Sequence, residues 1–260
     1  MDRDLLRQAI TVVMTVATVV CSTFSEQITG TGKTVGEVSH QYPLALTPAD
    51  YAFSIWGLIY SGLLVYAVYQ ALPGQRANPR LRKIGYWYVL SCVGNIAWGF
   101  IWLNEQITLS LLAMFFIFLP LLVLYIRYHY SDRHQVMIPK AERWCVQFPF
   151  SIYLGWITVA SIVNVAVVLK YQHWNGWGLS AELWTNLLLI VATAIAIFIG
   201  IKRMDIVYVA TLIWAFVAIT IKNRLIPQIA VTSGLMILIL LCVIVIIAIK
   251  NTNGRKAFQF

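Results

Sequence analysis

Charge is what this chain has least of. Asp, Glu, Lys and Arg make up 11% of its 260 residues, where a soluble domain carries about 25%. Apolar residues reach 60% and the mean hydropathy is +0.77. These values exclude a water-exposed globular fold. Histidine is missing from the middle of every long apolar stretch, which disfavours a haem electron carrier held by two imidazoles. No acidic or basic residue lies deep in such a stretch, so a charge-relay pump lacks its parts. Glu105 and Asp205 fall at predicted helix ends, where solvation rather than catalysis is expected. The four cysteines, Cys21, Cys92, Cys145 and Cys242, stand alone. They show no metal spacing and read as small apolar packing residues. No nucleophile–base pair or nucleotide-phosphate loop is visible, so no catalytic residue and no metal ligand is assigned. Period-two alternation is lacking too. The apolar runs are continuous, and in hydrocarbon that pattern means helices rather than barrel strands.

What is present is an all-α, polytopic membrane protein. Eight spans of about 17–24 residues are read at 8–25, 51–72, 85–103, 107–127, 148–169, 183–201, 205–221 and 227–249. The net charge of +9 is a matter of loops, not of nucleic acid. Fifteen of the 19 basic residues fall on one side of this topology: Arg3, Arg7, Arg76, Arg80, Arg82, Lys83, Arg127, Arg133, Lys140, Arg143, Lys202, Arg203, Lys250, Arg255 and Lys256. Lys33, Lys170, Lys222 and Arg224 fall on the other. That split predicts cytoplasmic N- and C-termini and supports the count of eight. The first span is expected to be a retained helix rather than a signal peptide. Its start has no net positive side-chain charge, and Thr15 to Ser25 offers no small-x-small cleavage site.

The longest polar stretch, Glu26–Asp50, holds three glycines and two prolines. It reads either as a lid over the bundle or as a flexible connector. Asn104–Glu105–Gln106 predicts a tight hairpin, and Trp174, Trp177 and Trp184 read as interfacial anchors. Beyond about residue 182 aromatics thin out in favour of Ile, Leu, Val and Ala. The expected organisation is therefore a five-helix ligand-binding bundle over 1–170 and a three-helix extension with a cytoplasmic tail over 171–260. No internal repeat supports an inverted-repeat transporter.

Three spans carry related faces. Phe53, Trp56 and Tyr60 step by 3 and 4, as do Asn95, Trp98 and Trp102; Tyr153, Trp156, Ala160 and Asn164 step by 3, 4 and 4. Each set shares one helix face. An amide in hydrocarbon needs a partner, so these faces are expected to look into protein or a cavity. With alternating helix directions they converge beneath Glu26–Asp50. Flat rings and two amides suit a flat apolar ligand with a few polar atoms. Ordinary packing and interhelical hydrogen bonding is the competing reading.

The run Thr47-Pro48 to Phe53-Ser54-Ile55-Trp56-Gly57-Leu58-Ile59-Tyr60 resembles the opening of the second helix in the translocator protein family (tryptophan-rich sensory protein, peripheral benzodiazepine receptor). Asn95-Ile96-Ala97-Trp98 resembles that family's third-helix Asn-x-x-Trp, and Trp156, Ala160 and Asn164, after Pro149 and Tyr153, its fifth-helix signature. The motifs cover about residues 40–168. The resemblance implies a five-helix bundle that often dimerises and binds porphyrins, sterols and synthetic aromatics beneath its first long loop. It makes Trp56, Tyr60, Asn95, Trp98, Tyr153, Trp156, Ala160 and Asn164 the candidate ligand-binding residues. The chain departs from the pattern at Pro48-Ala49, at Phe53-Ser54-Ile55-Trp56 and at Gln41-Tyr42. The sterol-recognition pattern is absent near Lys170-Tyr171, although Val123 to Arg127 fits its loose form. A tetrapyrrole is therefore favoured over a sterol.

The leading expectation is a binding or sensory protein, not an enzyme, with no obligatory cofactor and a tetrapyrrole as the bound group. Ligand-dependent porphyrin degradation enters only through the resemblance. A transporter of an apolar or amphipathic metabolite is the second reading, with Asn186, Thr211 and Thr220 lining a path. A structural subunit of a membrane complex is the third. Expected partners are a small apolar ligand, membrane lipid and a second copy or another membrane protein; nucleic acid is not among them.

Overall fold

The computed structural model describes residues 2–130 and 138–257. Arg133, counted above, lies outside them, as do the side chains of Arg255 and Lys256. The principal helices are α1 (Arg3–Thr23), α2 (Ile55–Ala71), α3 (Pro79–Leu103), α4 (Ile107–Tyr130), α5 (Phe148–Tyr171), α6 (Ala181–Arg203), α7 (Ile206–Lys222) and α8 (Pro227–Ala257). Among the described residues seven helices are long and apolar enough to cross a membrane. α2 is counted together with the turn Asp50–Ser54 that leads into it, 22 residues in all; the remaining one, α7, is apolar but has only 17 residues, about 26 Å of helix against a hydrocarbon core of about 30 Å. The fold is a helical membrane bundle, as expected. Boundaries differ where local chemistry overrides hydropathy. α3 starts at Pro79 rather than at 85, because the Asn78 side chain caps it and Pro79 takes the first position. Gly85 (φ 47°, ψ −137°) then kinks it, a conformation only glycine adopts without strain.

The described residues form two compact units. The first comprises Met1–Tyr42 and Ile55–Ile157, the second Pro43–Ser54 and Thr158–Phe260. The division falls inside α5 and inside the segment between α1 and α2.

In the first unit a polar stripe on α1 faces inward. Gln8, Thr11, Thr15 and Thr18 are all buried. Thr15 and Tyr88 of α3 share a hydrogen bond of 2.9 Å. Gln8 donates to the Gln70 carbonyl at 2.6 Å, and Gln70 returns a bond to the Gln8 carbonyl at 3.1 Å. α3 and α4 touch backbone to backbone. A Cβ on Gly94 would lie 2.6 Å from the carbonyl carbon of Phe116. Phe116 is also the residue whose carbonyl loses its helical donor to Pro120. Likewise Gly62 of α2 lets Pro149 approach, a Cβ there falling 3.1 Å from the proline ring carbon. Tyr66, Tyr88 and Phe150 fill the core between with edge-to-face rings 4.8–5.5 Å apart.

At the end of this unit where the α2–α3 connection lies, Glu142 is fully buried. Its carboxylate accepts from Arg80 Nε at 2.5 Å and Nη2 at 2.9 Å, from Asn78 at 3.1 Å and from the Tyr128 hydroxyl at 3.0 Å. One carboxylate thus ties the start of α3, the end of α4 and the turn before α5.

In the second unit α6 meets α7 through Met204, which sits in the left-handed region (φ 55°). Asp205 is buried, not solvated as the sequence suggested, and accepts the Tyr208 backbone N–H at 3.0 Å. Capping α7 explains that burial. The Tyr208 hydroxyl bonds Thr158 at 3.0 Å, and Thr220 donates to Ser233 of α8 at 2.8 Å. Pro43–Ser54 is held on α7. Asn223 donates to the Ala45 carbonyl at 2.8 Å, Trp214 to the Ala52 carbonyl at 3.1 Å, and the Ala49 N–H to the Ala218 carbonyl at 3.3 Å.

Candidate functional site

The first unit brings five of the predicted residues together. Asn95, on α3 next to the Gly94 contact, is 4% exposed. Its Nδ2 donates to the Tyr153 hydroxyl of α5 at 2.9 Å, and its Oδ1 accepts from Ser22 of α1 at 3.2 Å. The Tyr60 hydroxyl of α2 neighbours the same Ser22–Asn95 pair. Trp56 stacks on Tyr60, with centroids 5.2 Å apart and planes 22° from parallel. Its other contacts are edge-on, to Tyr153 at 6.3 Å and to Trp156 at 6.4 Å. Four helices therefore meet at one amide walled by four aromatic rings. An Asn side chain offers two N–H donors and two carbonyl lone pairs, and Tyr153, Ser22 and Tyr60 all draw on them.

Above this cluster in sequence order, α3 ends in a second ring pair. Trp98 and Trp102 stack at 5.3 Å and 17°, and the Trp102 indole donates to the Val35 carbonyl at 3.2 Å. That bond fixes the first half of the long α1–α2 segment on the α3–α4 hairpin. Lys33 pairs with Glu105 in the turn of the same hairpin, and Gln41 reaches Glu105 at 3.4 Å. The Lys33 ammonium, with Gln41, holds the Glu105 carboxyl below its ordinary value. Thr34 does the same for Glu37 through its backbone N–H and hydroxyl, closing a reciprocal cap at the start of Val35–His40.

A family model described as TSPO-like protein matches residues 8–246. The chain belongs to that family. No curated protein and no solved structure matches it. The match reaches well past the motifs at 40–168 and takes in α6, α7 and most of α8, so these helices lie within the TSPO-like extent of the chain. With the apolar helices, it makes this TSPO-like protein an integral, multi-pass membrane protein.

The remaining predicted residues of the TSPO-like chain belong to the second unit. Phe53 precedes α2 in the turn Asp50–Ser54, which belongs to the second unit. Ala160 and Asn164 lie on the later half of α5, also in the second unit, where Asn164 is buried. Thr211, named for the transport reading, donates to the Val207 carbonyl of its own helix at 2.9 Å. Ser22 was not among the predicted residues, although Gln8, Thr11, Thr15, Thr18 and Ser22 step by 3, 4, 3 and 4. That spacing on a span otherwise apolar was the available signal. Glu142 was missed because nothing local marks a buried carboxylate.

Proposed function

We propose that this TSPO-like protein is a membrane binding or sensory protein for a flat apolar ligand, a tetrapyrrole before a sterol, and that it works without catalytic residues of its own. The observation that carries this reading is the Asn95 amide, fixed between Ser22 and Tyr153 and walled by Trp56, Tyr60 and Trp156. A planar macrocycle would replace the Trp56–Tyr60 stacking with its own faces. The Asn95 amide, exchanging one of its protein partners for the ligand, would orient a polar edge of the ring. The 15-to-4 division of basic residues supports cytoplasmic termini; labelling of cysteines introduced at Lys33 and Arg76 from opposite sides of the membrane tests that orientation.

The test of the ligand is a tryptophan-fluorescence titration with protoporphyrin IX, corrected for absorption, on the full chain and on Trp156→Phe and Asn95→Ala. Saturable quenching that weakens in both variants is expected. Unchanged affinity in both removes this cluster as the binding site. Counterflow in proteoliposomes separates binding from transport, and saturable binding without flux is the expected outcome.

A further inference from the structure

A groove of about 360 Å³ runs between α1 and α2 of the first unit. It is lined by Val12 and Val16 on one side and by Leu64, Val68, Ala71 and Pro73 on the other. Val16, Leu64 and Val68 are exposed, in a chain whose helices cross a membrane. Nothing polar lines the groove.

Charge appears at one end only. The groove closes at Pro73, and the turn that follows carries Arg76. That turn is pinned to α1: Arg7 donates to the Arg76 carbonyl at 3.0 Å and Gln8 to the Leu72 carbonyl at 3.3 Å. The Arg76 side chain is 44% exposed and only loosely paired, 3.6 Å from Asp2. Arg3, Arg7, Arg80, Arg82 and Lys83 belong to the same α1 start and α2–α3 connection; Arg80 is bound to Glu142 and Arg82 to Asp4, so the five bases beside Arg76 still outnumber the acids Asp2, Asp4 and Glu142. An apolar trough with positive charge at a single end is the complement of an amphiphile with one anionic head.

We propose that the α1–α2 groove is a binding site for an anionic phospholipid of the surrounding bilayer, one acyl chain lying along Val16 and Val68 and the head-group phosphate at Arg76. The pinned turn fixes the backbone from which Arg76 extends, so only the side chain has to order when the lipid binds. The inference rests on the membrane placement of the chain and is independent of the ligand proposed for Asn95.

The test is native mass spectrometry of the full chain, delipidated in detergent and offered equal dioleoyl phosphatidylglycerol and dioleoyl phosphatidylcholine. Preferential retention of phosphatidylglycerol is expected. Arg76→Gln should lower that preference about fivefold, the equivalent of about 1 kcal/mol for one basic residue near an anionic head group. Val68→Trp, at an exposed position, should fill the trough and abolish retention of both lipids; Ala71→Trp repeats the test nearer the closed end. Equal retention of the two lipids by the wild type overturns the proposal, and so does wild-type retention in all three variants. A dimer that Val68→Trp dissociates, with no lipid retained, would assign the groove to a second copy and overturn it as well.

Discussion

The Asn95 side-chain amide donates to the Tyr153 hydroxyl at 2.9 Å, joining α3 to α5 at the centre of the aromatic cluster. Interhelical hydrogen bonds of this kind contribute less in a bilayer than their burial suggests, because the separated helices find other partners. A double-mutant cycle of Asn95→Ala and Tyr153→Phe, read by reversible unfolding in mixed micelles, should give a coupling of about 0.6 kcal/mol and no more than about 1.7 kcal/mol. A coupling of zero would mean that the pair only coexists.

Gly94 predicts a steep local penalty. A Cβ there would lie 2.6 Å from the Phe116 carbonyl carbon and 2.7 Å from its oxygen, and backbone cannot swing aside as a side chain can. Gly94→Ala should destabilise the protein by about 1–3 kcal/mol through overpacking. Gly99, five residues on in the same helix, meets nothing within 4 Å. Gly99→Ala should be neutral or stabilise by up to about 1 kcal/mol. Equal melting temperatures for the two variants would contradict the close α3–α4 approach.

Glu142 should be the most sensitive charged position. With side-chain exposures of 1% for Glu142 and 15% for Arg80, removing the carboxylate strands a guanidinium with little water to compensate. Glu142→Ala should cost about 3–5 kcal/mol. Tyr128→Phe, which deletes one of its donors, should cost about 1 kcal/mol. If Glu142→Ala unfolds at the wild-type denaturant midpoint, the network is not stabilising.

Glu105 ties a pH dependence to the α1–α2 segment. Lys33 holds its carboxyl below the ordinary 4.5. A group whose pKa is lowered on folding contributes stability that is fully present above its unfolded value and is lost as pH falls through the folded one. Amide exchange over Lys33–Gln41 should therefore stay slow as pH drops to 4.5 and, after correction for intrinsic rates, accelerate only below it. Glu105→Gln should shrink that step to the part carried by the Glu37 cap, and Glu105→Gln with Glu37→Gln should show none. A step centred above pH 4.5 in the wild type would contradict the pairing.

The bundle was legible because its spans are written in hydropathy, and hydropathy integrates over 20 residues without regard to what each side chain meets. The shared faces of α2, α3 and α5 were legible for the same reason, and Trp56, Asn95 and Trp156 do meet. Which partner each polar atom takes was not. Asn95 bonds Ser22, 73 residues away, and no periodicity on either helix encodes that pairing. Asp205 looked like a solvated turn residue because the demand it satisfies belongs to a backbone N–H, which every sequence has in every position. The anchoring of Pro43–Ser54 escaped notice for a related reason: carbonyl oxygens accept the bonds from Asn223 and Trp214, and carbonyls leave no mark in a sequence.

That anchoring sets an order of events in synthesis. The Ala45 carbonyl waits for Asn223, 178 residues later, and the Ala52 carbonyl for Trp214, 162 residues later. At roughly 5–20 residues per second, the ribosome needs roughly 10–35 seconds to supply the first of these donors. Through that interval α2 is already in the bilayer while the turn leading into it has no fixed seat. The step that seats this turn therefore comes late in biogenesis, and a nascent chain truncated before residue 214 carries the whole aromatic cluster without the two side chains that hold Pro43–Ser54.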